Sequence, residues 1–316
     1  MGFLDKLLGR QPRKAPVRRP LPRDPLGPRP EPKATNNYIL VTLDSCRYDS
    51  FMTANPKTIT SLTGGVVERR WSYASWTSPS HYNFLTGLMP HQSPANEFAS
   101  EYYKQDFLNY NTRFGVEGME FAKLVPAMWL PDFLRNELGY TTHARVSLPV
   151  LNAKTTINRS FDTFQLMDKH NDMMAMLDTL VFDDNRPAFY LLNVGETHYP
   201  FATPDEDPNE WPRISGVHGV FKHLDQQVVG GKLVHDEKAP KFFDQDKLDQ
   251  LRERQINTVR YLDGVFAKLY DMVPRNTYIT VTSDHGELFG EEGYFGHGPI
   301  MHEKVFEVFF LEGKIR

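Results

Sequence analysis

The chain has 316 residues and a single cysteine, Cys46, so no intrachain disulfide can form. A lone thiol fits a reducing compartment, and the expected location is cytoplasmic. No apolar run reaches the roughly 20 residues that cross a bilayer. The start, MGFLDKLLGR, lacks the continuous apolar core of a secretory signal. Gly2 is followed by Lys6 where a myristoylation motif wants Ser or Thr, so lipidation is not expected. The globular part carries no clustered basic charge, which argues against a nucleic-acid partner. Internal repeats are absent, and the oligomeric state leaves no signature.

What is present suits a large core, as one big α/β domain or two smaller ones, at 40% hydrophobic and 24% charged residues. The net charge of −4 is unevenly spread: residues 1–33 hold nine Lys/Arg against three Asp/Glu, +6 against −10 elsewhere. Residues 11–37, QPRKAPVRRPLPRDPLGPRPEPKATNN, are rich in Pro and Arg. Proline denies helix and ladder bonds and like charges repel, so residues 1–36 read as a disordered basic tail. Phe3, Leu4, Leu7 and Leu8 share one helical face near its start. That face suits weak docking through residues 1–33 on a protein or membrane surface, a peripheral location; a frayed terminus is the equal alternative.

The folded domain is expected over residues 37–316. YILVTL, AFYLLNV (188–194) and TYITVTS (277–283) are short, apolar and β-branched, the signature of buried strands, with TTHARVSL (141–148) a weaker candidate. Between them WLPDFLRNELG and DKLDQLRERQINTVRYLDGVFAKLYDMV have helical periodicity, closing on Gly139 and before Pro274. The alternation predicts a mostly parallel sheet with helices on both faces, and residues 203–246, without periodicity, read as an excursion.

In open α/β sheets the ligand site lies beyond the carboxyl ends of the strands. Asp44 follows the first strand, His198 follows AFYLLNV within GETH, and Asp284–His285 follow TYITVTS. TSPSHYNFLTG (77–87) adds a hydroxyl-rich helix start. Taken singly, Asp44 would cap a turn, His198 would pack, and Thr77 or Ser78 would be an N-cap. Gathered together, Asp44, Asp284, His285 and the Thr77 hydroxyl form a ligand set for a divalent metal. The imidazole favours Zn²⁺ or Mn²⁺ over Ca²⁺ or Mg²⁺. A metal would lower the hydroxyl's pKa, and the helix N-terminus would seat a tetrahedral anion.

These segments resemble the sulfatase branch of the alkaline phosphatase superfamily over most of residues 37–311. TSPSHYNFLTG is similar to its C/S/T-x-P-S-R…LTG motif, and VTLDSCRYD and VTSDHGELFGEEGYFGHG to its two metal motifs. GYTTHARVS, NVGETHYPF and NTVRYLDGVF follow in the family's order. The resemblance implies a three-layer α/β/α sandwich of the alkaline phosphatase type. It also implies Thr77 as nucleophile and metal ligand, with Asp44, Asp284 and His285 as the other ligands. His198 and His297 would then contact a phosphoryl or sulfuryl group, with His302, His81 and Arg47 as further candidates for substrate contact. Threonine at position 77 is not expected to supply formylglycine. The family's arginine is His81 here, its second aspartate is Ser45, and its lysine after G-Y-x-T is missing. The pattern is closer to phosphoethanolamine and glycerol-phosphate transferases. The implied substrate is a phospho- or sulfo-ester. The expected activity is hydrolysis through a covalent Thr77 intermediate, the alternatives being transfer to a glycan, lipid or polymer, or non-catalytic binding.

Overall fold

A computed structural model describes residues 26–92, 99–120, 128–211, 228–229, 232–233, 244–298 and 300–315. Its centre is a seven-stranded sheet in the order β2-β7-β6-β1-β5-β3-β4. The strands are β1 (Asn37–Leu43), β2 (Glu68–Trp71), β3 (Thr141–Val146), β4 (Thr163–Leu166), β5 (Ala188–Val194), β6 (Thr277–Thr282) and β7 (Glu307–Lys314). The run β6-β1-β5-β3-β4 is parallel, and β7 and β2 add an antiparallel margin.

The apolar runs are explained by burial on both faces. Tyr38 and Leu40 of β1 join Phe189 and Leu191 of β5 on one side. There they meet helices α3 (Thr77–Leu85), α4 (Ala99–Phe114) and α5 (Leu130–Asn136) through Phe84, Phe107, Tyr110 and Leu134. Ile39, Val41 and Leu43 face the other way with Tyr190, Leu192 and Val194. That side is covered by α1 (Tyr48–Ala54), α2 (Lys57–Ser61), α6 (Met173–Leu177) and α7 (Gln245–Met272). The strand period of two thus feeds two separate cores, and the sandwich has the expected three layers.

Helix α7 runs 28 residues, capped at its start by the Asp244 carboxylate on the Asp246 N–H and ending at Met272, just before Pro274. Leu248, Leu251, Val259, Leu262, Phe266 and Leu269 recur at helical spacing and are buried. No helix of the described residues is long and apolar enough to cross a membrane.

Residues 26–36, assigned by composition to a disordered tail, lie against the domain instead. Arg29 pairs with Asp162 at 2.6 Å, the Lys33 N–H donates to the Leu138 carbonyl at 3.1 Å, and Arg135 and Arg186 donate to the carbonyls of Gly27 and Pro30. The segment runs so close that a Cβ on Gly139 would sit 2.9 Å from the carbonyl oxygens of Pro30 and Glu31. Backbone acceptors that proline leaves free have found arginine donors, which composition alone does not reveal. The rest of the tail, including its amphipathic start, lies outside the described residues, as does most of the excursion at 203–246.

A buried arginine stands beside the first core. Arg113 of α4 is fully buried, donates to the Glu312 carboxylate of β7 at 2.9 and 3.2 Å, and lies over the Tyr110 ring. Thr280 also donates to Glu312, at 3.0 Å.

Candidate functional site

Because β1, β5 and β6 are adjacent and parallel, their carboxyl ends deliver three chain reversals to one place. Asp44, Asp284 and His285 meet there, all buried, with one donor atom each within 4.8 Å of the others. The Asp44 N–H extends the ladder to the Val194 carbonyl at 2.9 Å. Ser45 then turns with a φ of 59°, which aims its N–H at Asp284 Oδ1, 3.0 Å away. The His285 N–H donates to the same oxygen at 3.0 Å. Asn193, the one amide side chain within AFYLLNV, donates from Nδ2 to Asp44 Oδ2 at 2.7 Å. Its Oδ1 accepts from the N–H groups of Ser147 and Leu148, so one amide ties β3 and β5 to the Asp44 carboxylate. Gln255 of α7 donates to the carbonyls of Ser45 and Thr197 from below.

Thr77 enters as the first residue of α3; the N-cap is Trp76, whose side chain makes no cap bond. The Thr77 hydroxyl is therefore not spent on capping, contrary to the simplest reading of the sequence. Its Oγ1 lies 3.4 Å from Asp44 Oδ1 and 3.3 Å from His285 Nε2. His81, one turn on, donates from Nδ1 to the Thr77 carbonyl at 2.8 Å, and its Nε2 lies 3.1 Å from the Thr42 hydroxyl. His81 is wholly buried, and burial lowers its pKa, so it acts as a neutral clasp between α3 and β1. Both nitrogens of this candidate for substrate contact are thus engaged within the protein.

The electrostatics follow from burial. Burial opposes ionisation of Asp44, but the imidazoles of His198, His285 and His81 and the Asn193 amide bring it below the usual carboxylate range. Burial, then the Asp44 charge, pushes the Asp284 carboxyl well up. Burial, then His297, pushes His285 well down, keeping its imidazole neutral. Its Nδ1 donates to the Gly286 carbonyl at 2.9 Å, which leaves the Nε2 lone pair facing Thr77 and Asp284.

Two more histidines overhang the cluster. The His297 ring centroid lies 4.3 Å from that of His285 and 5.9 Å from that of His198. His297 Nδ1 contacts the buried Glu287 carboxylate at 3.1 Å; burial works against its protonation, but Glu287 outweighs it and raises the pKa. His198 Nδ1 donates to the Tyr199 carbonyl at 2.9 Å. The other two candidates are used elsewhere. Arg47 is bound by Asp49 and Glu291 and packs on the Phe289 ring. His302 caps the short helix Glu303–Phe306 by accepting from the Lys304 N–H at 3.0 Å. Asn193, Glu287 and Gln255 escaped the sequence reading; only Asn193 carried a signal, as an amide inside an apolar strand.

The residues fit a divalent cation. Asp284 Oδ2 is buried without a hydrogen-bond partner, 3.4 Å from His285 Nε2, and an orphaned carboxylate oxygen is costly unless a cation satisfies it. Two carboxylates, a hydroxyl and a neutral imidazole are a borderline-hard donor set, as Zn²⁺ or Mn²⁺ prefers.

A search of solved structures returned similar folds at low identity. The C-terminal periplasmic domain of EptC from Escherichia coli is 13% identical, with a TM-score of 0.54 over 93% of this chain and 77% of that one. Its complex with Zn gives 12% identity and a TM-score of 0.50, over 93% and 78% of the two chains. A 2-O GAG sulfatase gives 13% identity and a TM-score of 0.53, over 89% and 65%. No curated protein sequence matches. The periplasmic setting of the EptC domain corrects the cytoplasmic expectation. A lone cysteine that is buried, with its thiol pKa pushed up by burial, is inert in either compartment, so it never discriminated between them. The sulfatase family model matches residues 36–308, which takes in every residue of the cluster, and the chain belongs to the sulfatase family.

Proposed function

We propose that the chain is a metal-dependent ester hydrolase that attacks phosphoryl or sulfuryl groups with Thr77. The observation that supports it most is the Thr77 hydroxyl, free of capping and 3.3–3.4 Å from His285 Nε2 and Asp44 Oδ1. Asp44, Asp284, His285 and Thr77 would hold the cation, Zn²⁺ or Mn²⁺, which would supply charge neutralisation and acidify the hydroxyl. Thr77 Oγ1 forms the bond to phosphorus or sulfur as the alcohol oxygen departs. Water then cleaves the Thr77 ester and releases phosphate or sulfate. His198 and His297 hydrogen-bond the equatorial oxygens, with Glu287 fixing the His297 ring. The first turn of α3 presents backbone N–H groups to the same anion. Threonine in place of a formylglycine precursor favours phosphoesters over sulfates.

The second reading, transfer to an acceptor alcohol, draws support from the likeness to EptC, a fold-level likeness. Both share the Thr77 ester, so product analysis with added glycerol separates them. Thr77→Ala is expected to reduce turnover by about a thousandfold or more, and Thr77→Ser to retain part of it. Full metal-dependent activity in purified Thr77→Ala sinks the assignment.

A further inference from the structure

Trp76, directly before Thr77, is 45% exposed, and among the described residues no other Trp or Phe is as open to solvent. An indole left in water forgoes more burial than any other side chain would. Its position is fixed: the backbone at Trp76 is extended, and the preceding Ser75 carbonyl accepts from the Gly298 N–H at 3.0 Å. That bond sews the start of α3 to the loop carrying His297. The same loop continues through Ile300, whose N–H donates to the Gly298 carbonyl, to Met301, which is 86% exposed. On another side of α3 the turn Pro149–Leu151 packs against the helix and shows Val150, 40% exposed. Three exposed apolar side chains therefore stand on the segments that frame Thr77. Solvent alone gives no reason for that placement, whereas a substrate's organic group held beside the reacting centre does.

We propose that Trp76, at the start of the helix that carries Thr77, is the contact surface for the organic part of the ester and selects apolar, ring-bearing alcohols over small polar ones. This rests on Thr77 being the attacking group. The indole offers a flat face to a ring. Trp76 would act on binding and orientation and take no part in bond making.

The test uses benzyl phosphate and ethyl phosphate, whose alcohols are of similar acidity, so that their ratio reports on contact and not on leaving ability. The metal-loaded wild type is expected to favour the benzyl ester in kcat/KM by about tenfold or more, mainly through KM. Trp76→Ala should bring the benzyl-to-ethyl ratio near one, and Trp76→Phe should keep most of it. A ratio unchanged in a Trp76→Ala protein of wild-type melting temperature overturns the proposal. If the wild type turns over neither ester, the catalytic reading fails on its own. The contact is then read from the Kd values of benzylphosphonate and ethylphosphonate for the same proteins. A benzyl preference that Trp76→Ala removes supports the surface, and equal binding or none overturns it.

Discussion

At the scale of single residues, Asn193 carries more of the site than its place in an apolar strand suggests. It holds Asp44 Oδ2 with its amide nitrogen and two backbone N–H groups with its oxygen. Outer partners of metal-binding groups typically change metal affinity or activity by about 10–100-fold when removed. Asn193→Ala is expected to weaken Zn²⁺ binding within that range, measured by competition with a chelator, while the Thr77 hydroxyl stays in place. The sequence made Asp44, Asp284, His285 and Thr77 visible because each follows an apolar run or starts a helical one. It hid Glu287 and Gln255, whose roles depend on which loop folds over which. His81 shows the converse. A histidine in the nucleophile's motif invites a substrate role, yet its two nitrogens are taken by Thr77 and Thr42.

Among the elements, the junction between β5 and α6 is built on a buried acid. Glu196 is fully buried, accepts from the Met173 N–H at the start of α6 at 2.7 Å, and has its other oxygen unpartnered. Burial raises its pKa to about 7. The unfolded chain ionises this group first, so the stability it lends below pH 4.5 is lost as pH climbs towards 7. The loss is on the order of 3 kcal/mol at most. Glu196→Gln should flatten urea-unfolding stability between pH 5 and 8 relative to wild type, and an unchanged slope would show that another group titrates there. Element identity was legible where length and pattern agreed, as in β1, β5, β6 and α7. Strand β2, with the sequence ERRW, gave no apolar signal, because a sheet margin is paired by β7 and needs only one covered face. Helix α4 was missed as well: its buried Phe107, Tyr110 and Phe114 are spaced helically, but polar residues dilute the pattern.

For the whole molecule, apolar burial on the two faces of the sheet builds the two cores, and the first of them encloses Arg113, paired with a part-exposed Glu312. Breaking a fully buried pair costs about 3–5 kcal/mol, and the loss here is smaller because Glu312 is part-exposed and keeps the Thr280 hydroxyl. Arg113→Met is expected to lose about 1–3 kcal/mol in chemical unfolding, with activity per folded molecule near that of wild type. If unfolding is unchanged, Glu312 has found another partner. The mostly parallel sheet and its two helical layers followed from strand–helix alternation, and the strand order came only from the fold. The antiparallel margin did not, since direction is set by how the chain returns and not by strand composition.

The strap of residues 26–36 fixes an orientation. It is held by Leu138, Gly139, Arg135, Asp162 and Arg186, residues that precede the amino ends of β3, β4 and β5. The cluster of Asp44, Asp284 and His285 lies at the carboxyl ends, and the seven residues of β1 put about 23 Å between the two levels. Residue 26 therefore lies on the side of the sheet away from the cluster. A surface anchored on that side would find the cluster of Asp44, Asp284 and His285 turned away from it.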